Sequence, residues 1–331
     1  MSNWLFAPKE VQAVLGSVDV HLQVKRSKDV RLYDKYHPSA FGQCLRKMQY
    51  YRYAQKGDIP MPVEKAESKM IRIWENGHYA QSRWEKYFQA MGILRGLWRC
   101  DSYHCRYYDD DGKYIGENHD NKKSRIYGTN DKLGVFKPEK CCCGCKQFSY
   151  EEILVEDKEL NISGHVDMVL DFSRLDSESC TFDGLTFNKD DLPEEPFVVD
   201  MKTCNKYAWD NKVMRSGPSF AYQIQITIYS NMLGCDYGMI IYENKNDQTS
   251  KAFKVLNKTD TWYKEIKRQI KLMDGMIPLK KLPPPRPVSK SDYECKNCPF
   301  SSMCHKSKTW SDEKNLRKKR HSFYGELLSA E

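Results

Sequence analysis

Two stretches, NISGHVDMVLDF at 161–172 and FVVDMKT at 197–203, decide how this chain folds. In the first, Ile162, Gly164, Val166, Met168 and Leu170 alternate with polar or charged neighbours, the period of a half-buried strand. The second is a short apolar strand that ends in charge. Residues two apart on a strand share a face, so Asp200 and Lys202 project together. Taken alone, a carboxylate and a lysine at that spacing mark a solvated edge more often than a site. Here the apolar residues 197–199 precede the pair, which makes it the end of a buried-type strand.

Around these stretches the text alternates between helix and strand periods. YEEILVE at 150–156 reads as a strand, 219–233 as a helix containing YQIQITIY, YGMIIYE at 237–243 and AFKVL at 252–256 as strands, and 261–273 as a helix. Upstream, Trp74, Gly77, Gln81, Trp84 and Phe88 form a stripe at helical spacing within 70–90, and Ser39 after Pro38 is placed to cap a helix. Residues 98–150, rich in Cys, Asp, Gly and Lys, read as a small insertion. PPPRP at 283–287 reads as a stiff arm, followed by a cysteine cluster and the basic tail KNLRKKRH. The chain therefore parses as an N-terminal segment (1–36), a helical part (37–97), a zinc-ribbon-like insertion (98–150), a core (151–282), a proline-rich arm with cysteines (283–310) and a basic tail (311–331).

Composition narrows the classes. Among 331 residues, 30% are charged and 40% apolar, a globular mixture, and the formal net charge of +8 leans toward polyanionic partners. No apolar run approaches the ~20 residues that cross a bilayer, so no membrane partner is expected. MSNWLFAPKEVQ lacks the pattern of a secretory signal, which predicts a cytoplasmic protein. Thirteen cysteines in a reducing compartment point to metal ligation rather than disulfides.

The order GHVD, DMK, then YQIQITIY suits phosphodiester hydrolysis. That reaction needs a cation to neutralise the phosphate and activate a water, and two carboxylates on adjacent strands suit Mg²⁺ or Mn²⁺. A lysine beside the cation can orient or deprotonate the water. The series resembles the RecB-like branch of the PD-(D/E)XK nucleases, whose motifs run GxxD, (D/E)xK and QxxxY. Gly164 with Asp167, Asp200 with Lys202, and Gln225 with Tyr229 fit them in turn, and Tyr222 stands where an aromatic often precedes that glutamine.

The resemblance implies an α/β, restriction-endonuclease-like core. It implies metal ligation by Asp167, Asp200 and the Met201 carbonyl, catalysis by Lys202, and positioning by Gln225 and Tyr229. The family commonly has a histidine four residues after a helix glycine. Here Gly77 is followed by Gln81, whose carbonyl stands in that place, with His78 and Glu75 as other options. The expected activity is DNA hydrolysis, exonucleolytic on single-stranded ends, in recombination, repair or replication. No GxxxxGK[ST] is present, so unwinding would come from a helicase or recombination partner. The competing expectations are a nuclease-fold DNA-binding or assembly protein without catalysis, and a zinc/iron–sulfur redox regulator.

Cys295, Cys298 and Cys304 form C-x2-C-x5-C, with Cys44 far upstream. Four thiolates suit zinc or an iron–sulfur cluster. The arrangement resembles the iron–sulfur RecB-like nucleases of the AddB and CRISPR-associated exonuclease type, which implies a 4Fe–4S cluster on those four cysteines. In the insertion, WRCDSYHC and KCCCGCK supply a zinc tetrad of Cys100, Cys105, Cys142 and Cys145, with His104, Cys141 and Cys143 as competitors. Cys180, Cys204 and Cys235 read as ordinary apolar residues. Arg46, Lys47 and Arg52, interleaved with Tyr50, Tyr51 and Tyr53, are candidates to grip single-stranded DNA.

Overall fold

The computed structural model describes residues 9–27, 33–62, 67–107, 113, 125–175, 181–182, 185–186, 192–287, 289–307 and 313–329. In chain order, helices Lys9–Ser27 (α1), Leu45–Gln55 (α2) and Ser68–Ala90 (α3) precede strands Leu94–Cys100 (β1), Ile126–Tyr127 (β2), Val135–Phe136 (β3) and Phe148–Glu151 (β4). Ile153–Asp157 (β5), Ile162–Val166 (β6), Met168–Leu170 (β7), the ribbon Thr181–Phe182 (β8) and Leu185–Thr186 (β9), and Phe197–Cys204 (β10) follow. Short turns Lys206–Ala208 (α4) and Met214–Ser216 (α5) lead to Phe220–Leu233 (α6), then Tyr237–Asn244 (β11), Ser250–Leu256 (β12) and Lys264–Met276 (α7). Tyr293–Lys296 (α8), Ser301–His305 (α9), Glu313–Tyr324 (α10) and Glu326–Ser329 (α11) come last.

These elements fall into two compact units. One comprises Met1–Lys35, Cys44–Ala80 and Met273–Phe323; the other comprises Tyr36–Gln43, Gln81–Leu272 and Tyr324–Glu331.

The second unit is a mixed α/β structure. Its main sheet runs β12-β11-β10-β7-β1-β2, with β3 and β4 also paired to β1. β10 and β11 are parallel, and the other pairs are antiparallel. The first five residues of β10 are buried, as a central strand requires. Ile226, Tyr229 and Leu233 on α6 pack with Val169, Val198 and Ile240 of the sheet, forming one apolar core. Ser219 is the N-cap of α6, and Gly234 ends it in the left-handed conformation at φ 79°. The strands inside the insertion pair onto β1, and Arg95 of β1 reaches both Asp171 and Asp131 at 2.9 Å.

Three local expectations differ from the structure. YEEILVE at 150–156 breaks at Glu152 into β4, which joins the main sheet, and β5, which does not. Residues 162–170 form two strands and not one: β6 pairs with β5 in a separate ribbon, and β7 joins the main sheet. The alternation stays in phase across the break, so periodicity does not reveal it. Ser39 caps no helix; it lies within a three-residue 3-10 turn, Pro38–Ala40, and α2 starts after Cys44.

In the first unit, Tyr50, Tyr51, Phe300 and Cys304 form an apolar cluster. Tyr50 stacks on Phe300 at 5.1 Å, and Tyr33 stacks on Tyr51 at 4.0 Å. The basic tail is helical in α10: Leu316 and Phe323 are buried while Arg317, Lys318 and Lys319 are exposed. No described helix is long and apolar enough to cross a membrane.

Candidate metal centres and a buried acidic site

β10 and β7 position the carboxylates. Their register pairs Val199 with Met168, so one further step sets Asp200 opposite Asp167, the residue at which the chain passes from β6 to β7. The Met201 amide donates to Asp167 Oδ2 at 3.1 Å. Lys202 Nζ donates to Asp200 Oδ1 at 2.7 Å, and Gln225 Nε2 donates to the same oxygen at 3.1 Å. Asp200 Oδ2 is buried and has no hydrogen-bond partner among the described residues. A buried carboxylate oxygen without a hydrogen-bond partner is costly.

Charge is unbalanced here. Burial raises the Asp200 pKa to about 7; Lys202 opposes that rise and Asp167 adds to it. Burial works against the Lys202 ammonium, yet Asp200 and Asp167 outweigh it, so the lysine pKa moves up. Its Nζ also lies 4.9 Å from the Tyr222 ring. Burial, then Asp167 and Asp200, pushes the Tyr229 hydroxyl far above its usual range. Gly164 belongs here for steric reasons: an added Cβ would lie 2.9 Å from Tyr229 Oη and 2.9 Å from Pro38 Cδ. The site thus gathers Asp167, Asp200, Met201, Lys202, Gln225 and Tyr229. His165, inside the same motif, is exposed.

Gln81 is partly buried on α3, and its amide nitrogen donates to Glu85 Oε1 at 3.0 Å and to Glu152 Oε1 at 2.9 Å. The sequence reading singled out its carbonyl and missed both glutamates. Glu85 lies one helical turn beyond Gln81, a spacing that could have flagged it. Burial raises the Glu85 pKa, the Gln81 bond opposes this, and Glu152 and Asp167 add to it. Tyr150 OH donates to the Asp167 main-chain oxygen at 2.9 Å. Of the other helix options, His78 is exposed and Glu75 pairs with Lys25 at 3.1 Å.

In the insertion, the Sγ atoms of Cys100, Cys105, Cys141 and Cys143 all lie within 4.8 Å of one another. Four cysteines so placed can hold a metal ion. This set shares Cys100 and Cys105 with the tetrad favoured from spacing, but has Cys141 and Cys143 where that tetrad had Cys142 and Cys145. The reason is a tight turn at Gly144, φ 85°, closed by Gly144 N–H on Cys141 O at 2.8 Å. It sends Cys145 away, and its sulfur accepts from the Gln147 amide at 3.3 Å. Cys142 stays close, 3.7 Å from Cys141 Sγ to Sγ. Burial pushes the Cys141 thiol up, but hydrogen bonds from Tyr127 and its neighbours outweigh it and bring the pKa to about 6. Cys204 is partly buried and Cys235 buried, whereas Cys180 lies outside the described residues.

In the first unit, Cys44, Cys295, Cys298 and Cys304 line one recess with Arg46 and Tyr50. Cys44 heads α2, its amide donating to Glu294 Oε1 at 2.5 Å and its sulfur accepting from the Arg286 amide at 3.4 Å. Burial holds the Cys44 thiol up at about 11 and the Cys295 thiol at about 12.

The basic and aromatic side chains of α2 do not form an open grip. Arg46, Arg52, Tyr50, Tyr51 and Tyr53 are buried, and Lys47 is partly so. Arg52 pairs with Asp274 at 2.9 Å, Tyr53 OH donates to Lys281 O at 2.6 Å, and Arg46 reaches Pro283 O at 3.4 Å. Amphipathic side chains that find distant partners become core, which local sequence does not disclose.

No family model and no curated protein matches the chain. Among solved structures, the crystal structure of SSO0001 aligns with a TM-score of 0.41 and 12% identity, covering 88% of this chain and 96% of that one. A likeness at that level carries no conclusion.

Proposed function

We propose that this protein is a metal-dependent deoxyribonuclease with a restriction-endonuclease-like core of the RecB-like PD-(D/E)XK type, acting as an exonuclease on single-stranded DNA ends. The observation that carries this reading is Asp200: buried, held by Lys202 and Gln225 through one oxygen, with the other oxygen bare and Asp167 beside it. A buried carboxylate so arranged serves stability poorly and ligation well.

Asp167, Asp200 and the Met201 carbonyl would hold Mg²⁺ or Mn²⁺. Such a cation neutralises the scissile phosphate and acidifies its water. The chain's own residues do the rest. Gln225 fixes the Asp200 carboxylate, and the Met201 amide fixes Asp167. Lys202 keeps its proton and lends positive charge where the phosphate gains negative charge.

The cysteines support two further assignments. A single zinc ion with Zn–S near 2.3 Å sets its sulfurs about 3.8 Å apart. Cys105–Cys141 at 3.3 Å and Cys100–Cys143 at 3.7 Å suit that scale. Cys44, Cys295, Cys298 and Cys304, which line one recess, suit a 4Fe–4S cluster held by four thiolates. That cluster would fasten α2 to the turns α8 and α9, a structural role.

The test is cleavage of end-labelled single- and double-stranded DNA with Mn²⁺. Degradation from the ends that Lys202→Ala abolishes supports the reading. No cleavage, or a signal unchanged by Lys202→Ala, overturns it and leaves a DNA-binding or assembly protein without catalysis.

A further inference from the structure

A recess of about 350 Å³ lies in the second unit, where the end of α3 and the start of β1 meet β3 and the chain that follows β7. Three of its lining residues are cations, Lys137, Lys146 and Arg174, against one carboxylate, Glu139. None of these three cations has an ion pair or a side-chain hydrogen bond among the described residues. Elsewhere in the unit, Arg83, Arg95 and Arg99 each hold a carboxylate. Arg174 is also held in place. Its guanidinium carbon lies 4.1 Å from the centre of the Phe136 ring, which steadies the planar fork and leaves its N–H donors unused. Arg95 approaches the same ring at 5.4 Å, but its donors are taken by Asp131, Asp171 and the Gly134 carbonyl. The last carbonyls of α3 need no cation, because Met91 N–H on Tyr87 O and Gly92 N–H on Gln89 O, both at 3.0 Å, already answer them. Cations gathered without an anion repel one another, so the recess is complementary to negative charge. A guanidinium fork beside two ammonium groups matches phosphate oxygens, and such contacts hold a nucleic-acid strand without reading its sequence.

We propose that Lys137, Lys146 and Arg174 form a phosphate-binding recess for a single DNA strand, separate from the acidic site. The choice of a DNA strand as the source of the phosphates rests on the nuclease reading. The recess lies off one end of β7, where Leu94 of its lining pairs with Leu170, and Asp167 stands at the other end. At ~3.3 Å per residue, Asp167 and Leu170 are about 10 Å apart, so the recess takes a different phosphate from the one at the acidic site.

The experiment follows binding of a fluorescent single-stranded oligonucleotide to the full-length protein by anisotropy, in chelator so that nothing is cut, across a series of NaCl concentrations. A recess variant carrying Lys137→Gln, Lys146→Gln and Arg174→Gln is compared with a control carrying Lys158→Gln, Lys212→Gln and Lys251→Gln. The control removes the same charge from exposed positions elsewhere in the unit, and thermal melts check that both are folded. The recess variant is expected to bind at least ~10-fold more weakly at about 0.1 M salt. Its slope of log affinity against log salt should be shallower by about 2, as the loss of three phosphate contacts requires, while the control keeps the parent's slope. Arg174→Lys, which keeps the charge and loses the fork, should weaken binding and leave the slope unchanged. If the triple variant does not fold, Lys146→Gln and Arg174→Gln, both at exposed positions, carry the comparison with a slope change of about 0.7 each.

If the recess variant binds within about twofold of the control and keeps the parent's slope, the inference fails, and cleavage that depends on Lys202 leaves the nuclease reading standing. Displacement of the oligonucleotide by inorganic phosphate at matched ionic strength assigns the recess to a free anion and overturns the strand. A parent protein that neither binds the oligonucleotide nor cleaves DNA loses both readings.

Discussion

Gly164 and Tyr229 meet so closely that a methyl group on the glycine would lie 2.9 Å from the tyrosine oxygen. Pro38 Cδ closes the other side at the same distance, and neither a proline ring nor a buried tyrosine yields easily. Gly164→Ala is therefore expected to cost about 1–3 kcal/mol, the scale of overpacking a filled site. Urea denaturation measures this, and cleavage should fall as well, because Asp167 lies three residues along the same segment.

Asp200 links stability to pH. Its folded pKa, about 7, exceeds the unfolded value of 3.8, so the folded state prefers the neutral carboxyl. Its contribution to stability is complete below the unfolded pKa and is lost as pH rises through about 7. In chelator at pH 8, Asp200→Asn should melt several degrees above the parent. At pH 4 the two should melt together. Adding Mn²⁺ at pH 8 should raise the parent and leave the variant unmoved.

Lys202→Ala should lower cleavage by roughly 10²–10³, the range for removing one group that stabilises transition-state charge. It also strips a partner from a buried carboxylate, so Lys202→Arg, which keeps the charge, separates catalysis from folding. If Lys202→Arg melts like the parent and still cleaves poorly, the lysine amine itself is needed.

The insertion makes a residue-level prediction. Cys141→Ser and Cys143→Ser should each lose bound zinc by elemental analysis, whereas Cys145→Ser should keep it. Retention of zinc in Cys143→Ser with loss in Cys145→Ser would restore the tetrad favoured from spacing.

In the first unit, anaerobically purified protein should be brown and contain iron and sulfide. Cys44→Ala should lose both colour and iron while the zinc content is unchanged. Zinc in both cysteine sets would remove the iron–sulfur assignment.

The sequence disclosed the main strands well, because a buried central strand and an amphipathic helix write periods into the text. Phe197–Cys204 and Tyr237–Asn244 lie where alternation and apolar runs put them. What stayed hidden depends on partners. The switch of sheets at Asp167 keeps the period of two and so leaves no trace. Trp74 belongs to the same stripe as Phe88, yet it is 42% exposed against 8%, because a stripe does not say how far its covering neighbour extends. Arg46 and Arg52 read as surface residues until Pro283 and Asp274 reach them from more than 200 residues away. Glu85 and Glu152 were passed over because charge in a helix or strand is normally read as facing water.

The seven-residue strand β1 has a further consequence. Its first residues pair with β7 and β3, and its last with β2 and β4, ending at Cys100 of the metal cage. The cysteine-bearing segment is therefore not a detachable cartridge. A shortened protein made by splicing out 101–147 would strip β2 and β3 from β1 and leave bare backbone edges, open to pairing with other chains. Such a truncation should aggregate rather than shrink, and grafting the cage onto another scaffold would mean carrying β1 along with it.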